Sequence, residues 1–212
     1  MIDIHLPHGK LEGVKDFFLH LFTITVGLLI ALSLEGWVEH RHQHHLAREA
    51  EDSLRAEIAN NAHEVVQQRQ IIKDDEAKLE ADLKILEELR AHPHAKRGRI
   101  DLTVTIGGFD DVAWKNAQNT GALVFMQYKD AQNFSNIYLV QDVYFKAALD
   151  CIDDLGNAAS PFASRPDNWV PTPAQIDVET DRIGKVEFDL VLLSGVADQL
   201  DGIYQTFESE HK

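Results

Sequence analysis

Four histidines, His40, His42, His44 and His45, fall within one short stretch of the chain. His40 and His44 are four apart, so on a helix both imidazoles leave the same face. Two neutral imidazoles in that arrangement can share a divalent ion such as Zn²⁺ or Ni²⁺, with the remaining positions filled by a neighbouring subunit. The plainer reading is a group of polar side chains at the level of lipid headgroups, and the same cluster can act as a pH-responsive group because imidazole charges below about pH 6.5. Further along, His63-Glu64 opens a metalloprotease-like string, but Gln67 stands where the second histidine ligand has to be. No glycine loop for phosphate and no nucleophile elbow is present, and nothing in the sequence calls for a cofactor. Cys151 is the single cysteine, which excludes an intrachain disulfide and a thiolate metal cage. Acidic pairs such as Asp110-Asp111 and Asp153-Asp154 read as helix-end or surface acids. These observations assign no catalytic residue and no small-molecule substrate, and the chain is expected not to be an enzyme.

The elements that carry the histidines are more legible than their chemistry. Phe17 to Leu34 is a run of 18 residues without Asp, Glu, Lys or Arg. At about 1.5 Å per residue it spans roughly 27 Å, close to the thickness of a bilayer's hydrocarbon. Trp37 and Val38 extend it past Glu35, and tryptophan suits the headgroup belt. A cleaved signal peptide would carry a shorter apolar region followed by a small-x-small site, whereas Glu35-Gly36-Trp37-Val38-Glu39 follows here. The sequence therefore predicts a tail over 1–16, a transmembrane helix over 17–38 and the histidines at its exit. Thr23, Gly27 and Ala31 recur every four residues. Such a small-residue face lets two helices approach closely in lipid, or it is incidental. Lys10 and Lys15 before the span and Arg41, Arg48 and Arg55 after it are too evenly balanced to set an orientation.

Residues 39–91 form a long amphipathic helix, free of glycine and proline and rich in good helix formers. Ile58, Val65, Ile72, Leu79 and Leu86 repeat every seven residues. The companion row is polar, with Asn61, Gln68, Asp75 and Asp82, so packing on another part of the same chain is expected rather than a strong parallel coiled coil. His92-Pro93 ends the helix. Ile100 to Ile106 alternates apolar and polar residues, which predicts either an extended connector or a strand that pairs with another chain. Gly107-Gly108 breaks the alternation, and Asp110 or Asp111 is placed to cap a helix running through Trp114, Ala117, Gly121 and Val124. After a break near Tyr128 a second helix carries Phe134, Ile137, Tyr138, Tyr144, Phe145, Ala148 and Ile152 and is expected to close at Gly156. Prolines mark an irregular stretch over 160–173. Thr172-Pro173-Ala174-Gln175 is a capping box opening a last helix. In it Ile183, Leu190, Ala197 and Tyr204 form one apolar row and Val186, Leu193, Leu200 and Phe207 another. The 39–91 seam is its most economical partner, antiparallel within one chain, although a second subunit would serve. The fold class is all-α: one membrane helix continuing into a long helix, with the segment 92–212 folded back on it as an antiparallel bundle.

The stretch VGLLIALSLEGWVEHR, set between a short tail and a charged long helix, resembles a family of small bacterial membrane proteins of unknown function. Their span reads like IGILIALQ with a tryptophan-containing, basic exit. Ala113-Trp114 through Gly121-Ala122-Leu123, followed by Tyr138, Gln141 and Tyr144, is similar to that family's second helical block. The resemblance covers much of residues 17–150. It implies a single-pass topology in the bacterial inner membrane and high helical content, and no activity. This chain differs in placing histidines where Asn, Lys and Arg are common.

The charge is uneven. Residues 101–212 hold 18 Asp and Glu against 7 Lys and Arg, out of a net charge of −15 for the chain. Such a surface repels phosphate backbones, so nucleic acid is not an expected partner. The short basic cluster Lys96-Arg97-Gly98-Arg99 reads as a solvated loop or an anionic headgroup contact. The expected partners are the lipid bilayer and either a second copy of the chain or another membrane protein. The expected role is a non-enzymatic, membrane-anchored interaction or accessory subunit. The competing role is a membrane-tethered sensor or enzyme that responds to metal or pH through the 40–45 histidines.

Overall fold

The computed structural model describes residues 13–93, 100–163, 165 and 169–210. The 1–12 tail and the Lys96-Arg97-Gly98-Arg99 cluster lie outside them. Among the described residues four α-helices follow one another: α1 (Gly13–Ala91), α2 (Val112–Thr120), α3 (Tyr128–Ala163) and α4 (Pro173–Glu210), with a 3-10 turn at Ala122–Phe125. The all-α fold follows the sequence patterning.

Helix α1 has 79 residues without a break, so the apolar segment and the long polar segment are one rod roughly 120 Å long. Its N-terminal third is bare: residues 13–25 and 27–42 are all exposed, and burial begins at Ala47. Beyond that point the predicted seam, Ile58, Val65, Ile72, Leu79 and Leu86, is completely buried. Both apolar rows of α4 are buried as well, from Ile183 and Val186 to Tyr204 and Phe207. The two helices run antiparallel within one chain. Arg90 bridges to Asp177 at 3.1 Å, Arg69 to Asp198 and Asp201, and the Arg55 guanidinium lies over the Phe207 ring, so numbers fall on one helix as they rise on the other. Helix α4 also packs along α3, again antiparallel, with Phe134 against Phe207 and Asp154 bridged to Lys185 at 2.6 Å.

Several boundaries differ from the expectation. Gly121 does not lie inside the α2 helix but stops it, in the left-handed conformation at φ 72° that glycine tolerates. Gly156 does not close α3, which continues to Ala163. The buried Ala158 keeps the last turns on the core. Pro161 lacks the N–H that would reach the Asn157 carbonyl, and the Ser160 hydroxyl donates to that carbonyl instead, at 3.3 Å. The capping box of α4 forms as read: the Thr172 N–H donates to Gln175 Oε1 at 2.9 Å, and the Gln175 N–H to Thr172 Oγ1 at 3.4 Å.

Candidate functional site

The polar row of α1, the weak half of its heptad, is buried: Asn61, Gln68, Asp75 and Asp82 are each at most 7% exposed. Their partner is the segment 100–110, which lies along α1 as a strap. Asp82 accepts from the Asp101 N–H, Asp75 from the Thr105 N–H at 2.7 Å, and Gln68 Oε1 from the Gly107 N–H at 3.0 Å. Asn61 makes a reciprocal pair with the backbone of Asp110, at 2.9 and 2.8 Å. From Asp101 to Asp110 the strap takes nine residue steps to cover the 21 helical steps from Asp82 to Asn61, about 31 Å, or about 3.5 Å per step, which is a fully extended chain.

Ile100, Leu102, Val104 and Ile106 turn towards the core while Asp101, Thr103 and Thr105 face out. The extended-connector reading of 100–106 holds, and its backbone bonds go to a ladder of helix side chains. The donors at 101, 105 and 107 share a parity that shifts by 110, and Gly107-Gly108 stands at the shift. A Cβ on Gly107 would come within 2.1 Å of the Gln68 amide nitrogen, so a side chain there would have to displace the end of Gln68. One buried acid of the ladder carries an electrostatic cost: burial pushes the Asp82 carboxyl above its usual range, against the opposing pull of the Asp101 N–H.

The ladder ends in a cap supplied from another element. Glu57 of α1 accepts from the N–H of Ala113 at 2.7 Å and of Trp114 at 3.4 Å, and from the Tyr138 hydroxyl at 2.6 Å. Asp111 occupies the N-cap position of α2 but makes no side-chain cap; its carboxylate pairs with Lys115 at 2.7 Å. The sequence placed the cap on Asp110 or Asp111, and a carboxylate more than fifty residues away performs it. Gln68 and Asp75 gave no signal of their strap bonds beyond being polar at core positions of a heptad, and Glu57, which lies outside both heptad rows, gave none.

His40 and His44 do meet. Their Nε2 atoms are 3.0 Å apart and the rings cross edge to face with centroids at 4.3 Å. With metal–nitrogen bonds of about 2.0–2.1 Å, one ion touching both nitrogens would subtend an angle near ~90°. His42 and His45 are exposed beside them, and His45 pairs with Glu49 at 3.3 Å. All four sit on the bare neck of α1, between the apolar segment and the bundle. Among the described residues no group of three or more His, Cys, Asp or Glu converges as a metal set. Two imidazoles therefore need further ligands from outside those residues.

The Thr23, Gly27 and Ala31 face is open. Nothing lies within 4 Å of a Cβ placed on Gly27, and the Thr23 hydroxyl donates to the Leu19 carbonyl at 2.9 Å. With the hydroxyl proton already used inside the helix, a neighbour would meet this face mainly through packing. The apolar segment around it is long and apolar enough to cross a membrane, and none of it is buried by the rest of the chain.

Helix α4 carries a second apolar face that the sequence reading missed. Phe188, Val191 and Leu192, at spacings i, i+3 and i+4, are 60%, 55% and 48% exposed, and Gly184 and Gly195 beside them are open. This face lies opposite the buried rows. The signal was available in the sequence as apolar residues on both sides of one helix, but two buried rows already accounted for its hydrophobicity. Comparison with protein-family models, curated proteins and solved structures finds no match. Function is therefore argued from geometry and chemistry.

Proposed function

We propose that this chain is a single-pass, membrane-anchored interaction or accessory subunit of the bacterial inner membrane, working through protein contacts rather than catalysis. The observation that carries this reading is the exposed face of α4 centred on Phe188, Val191 and Leu192. A contiguous apolar face on an otherwise acidic surface is a mark of a protein contact. The buried polar residues of α1 support the same reading, because the strap and the N-terminus of α2 occupy them. The long rod sets the height of that face above the bilayer and fixes the direction of the helices.

Two copies anchored in one bilayer hold α1 in the same direction, so any α4 pair between them is parallel and brings identical residues together. Photo-crosslinking amino acids at 188, 191 and 192 in the full-length protein, in native membranes, test this. Crosslinks to a protein at these positions and not at half-buried Glu208 support the reading, and crosslinks between copies should join 191 to 191. Adducts no more frequent than at Glu208 refute it. Gly27→Ile examines the span face separately: a drop in self-association within the membrane assigns it to helix pairing.

One observation favours a second reading, a metal- or pH-responsive device. The 3.0 Å separation of the His40 and His44 nitrogens suits two cis ligands of one ion. Zn²⁺ should then bind at neutral pH and leave on acidification, because the neutral imidazole is the ligand. Calorimetric heats equal to those of a His40→Ala/His44→Ala control would remove this reading.

A further inference from the structure

The neck of α1, between the apolar segment and the bundle, differs on its two sides. Trp37, Arg41, His44, His45 and Arg48, at spacings i, i+4, i+7, i+8 and i+11, share one face of the helix. Two shallow grooves follow one another along that face. The first is apolar, lined by Val26, Leu29, Ile30, Ser33, Leu34 and Trp37. The second is basic, lined by Arg41, His42, His44, His45 and Arg48. The acids at the same height, Glu35 and Glu39, line a different hollow with Ala31, Gly36 and Val38. The exit from the apolar segment is therefore cationic on one side and anionic on the other.

The dimensions of the two grooves match one leaflet and its headgroups. From Val26 to Trp37 the apolar groove rises about 16 Å, and one leaflet's hydrocarbon is about 15 Å deep. Arg41 follows about 6 Å further on, within the headgroup layer of about 5–7 Å. Side chains on a helix lean towards its N-terminus, which here is towards the apolar segment. The Arg41 guanidinium lies in that direction, 4.9 Å over the Trp37 ring. Arg48 lines its groove with His44 and His45 from the turn before it, and not with Glu51 or Asp52 from the turn after. Both arginines are exposed, and among the described residues neither guanidinium has an ion pair or a hydrogen bond. The flanking acids Glu39 and Glu49 are taken by Gln43 at 2.8 Å and His45 at 3.3 Å.

From this continuity of an apolar groove with two free guanidinium groups, we infer that this face of α1 is a site for one anionic phospholipid. Its phosphodiester lies against Arg41 and Arg48, whose planar N–H forks suit phosphate oxygens, and an acyl chain follows the groove from Trp37 to Val26. A zwitterionic lipid offers the same phosphate but brings a cation that meets no carboxylate in the lining. The site rests on the reading of α1 as a membrane span and is separate from the α4 face.

The test titrates full-length protein in a mild non-ionic detergent with three probes, and native mass spectrometry counts the adducts. The probes are dioleoylphosphatidylglycerol, dioleoylphosphatidylcholine and glycerophosphoglycerol, the anionic headgroup without its chains. Saturable one-to-one binding of the anionic lipid is expected, about ten-fold or more tighter than either other probe. Arg41→Gln/Arg48→Gln should bind the two lipids alike while keeping the wild-type circular dichroism, because both side chains are exposed. Arg41→Gln/Gln43→Arg keeps the net charge and nearly the height but moves one guanidinium to the opposite side of the helix. It should lose most of the preference. The inference is overturned if the two lipids bind wild type alike, if the headgroup alone binds as tightly as the anionic lipid, or if the relocated arginine keeps the full preference, which would make the attraction a diffuse effect of charge. Alkaline carbonate washing of membranes separates the two failures. Release of the protein removes the spanning reading and this site with it, whereas a retained protein that does not select the anionic lipid removes the site alone.

Discussion

Replacing Gly107 by alanine probes the contact between strap and long helix at its tightest point. A methyl group there would sit 2.1 Å from Gln68 Nε2 and 2.9 Å from Oε1. No left-handed backbone conformation is recorded at Gly107, so the cost comes from crowding rather than from φ. The atoms in the way are the far end of a flexible side chain, which can swing aside, but the bond from the Gly107 N–H to Gln68 Oε1 is then lost. Leaving a part-buried donor and a buried amide without partners costs about 1–3 kcal/mol. For a chain of this size that is about 2–4 °C of melting temperature per kcal/mol.

Gln68→Ala loses the same bond but vacates the space the new methyl needs. The double variant should therefore be less destabilised than the sum of the two single variants, by about 1 kcal/mol or more. Thermal melts followed by circular dichroism supply all four corners of the cycle. Hydrogen exchange adds a local readout, with the Thr105 and Gly107 amides protected in wild type and Leu102, Val104 and Ile106 exchanging faster. Additive losses, or a wild-type melting temperature for Gly107→Ala, would refute the proposed close approach.

Other outcomes follow from the same structure. Leu193, fully buried on α4, should cost about 2–5 kcal/mol as Leu193→Ala, and Leu193→Asp more, because it buries an unpaired charge; a nearly unchanged melt for both would mean the α4 packing is wrong. Tyr138→Phe removes the 2.6 Å bond to the Glu57 carboxylate and should cost about 1.5–3 kcal/mol in urea unfolding, while Thr103→Ala on the outer side of the strap stays near zero.

The pH dependence combines two signs. Burial raises the carboxyls of Asp82, Glu179 and Asp189, with Asp154 adding to the effect at Asp189. Below their raised values the folded chain holds more protons than the unfolded one, so these groups increase stability as pH falls from neutral towards 4.5. Asp154 is lowered, chiefly by its bond from Lys185, and its contribution is lost as pH falls below 3.8. Melting temperature should therefore rise on mild acidification and drop in stronger acid. Asp189→Asn should reduce the rise, and an equal rise in that variant would remove Asp189 from the explanation.

The sequence by itself determined the helices and their register. A run of 18 residues without charge leaves few options for Phe17–Leu34, and a seven-residue apolar repeat can bury only one face of a helix. Ile58 to Leu86 and Ile183 to Phe207 therefore found their places from local periodicity. Capping was legible where it was local, as at Thr172 and Gln175. Only the tertiary structure decided what the polar half of the α1 heptad was for. Asn61, Gln68, Asp75 and Asp82 read as poor core residues because their partners are backbone N–H groups at least 19 residues away, and a backbone donor has no signature in residue type. The same holds for Glu57 capping α2 and for the outer face of α4. Each depends on which surfaces meet in space, whereas periodicity records only that a surface is apolar or polar.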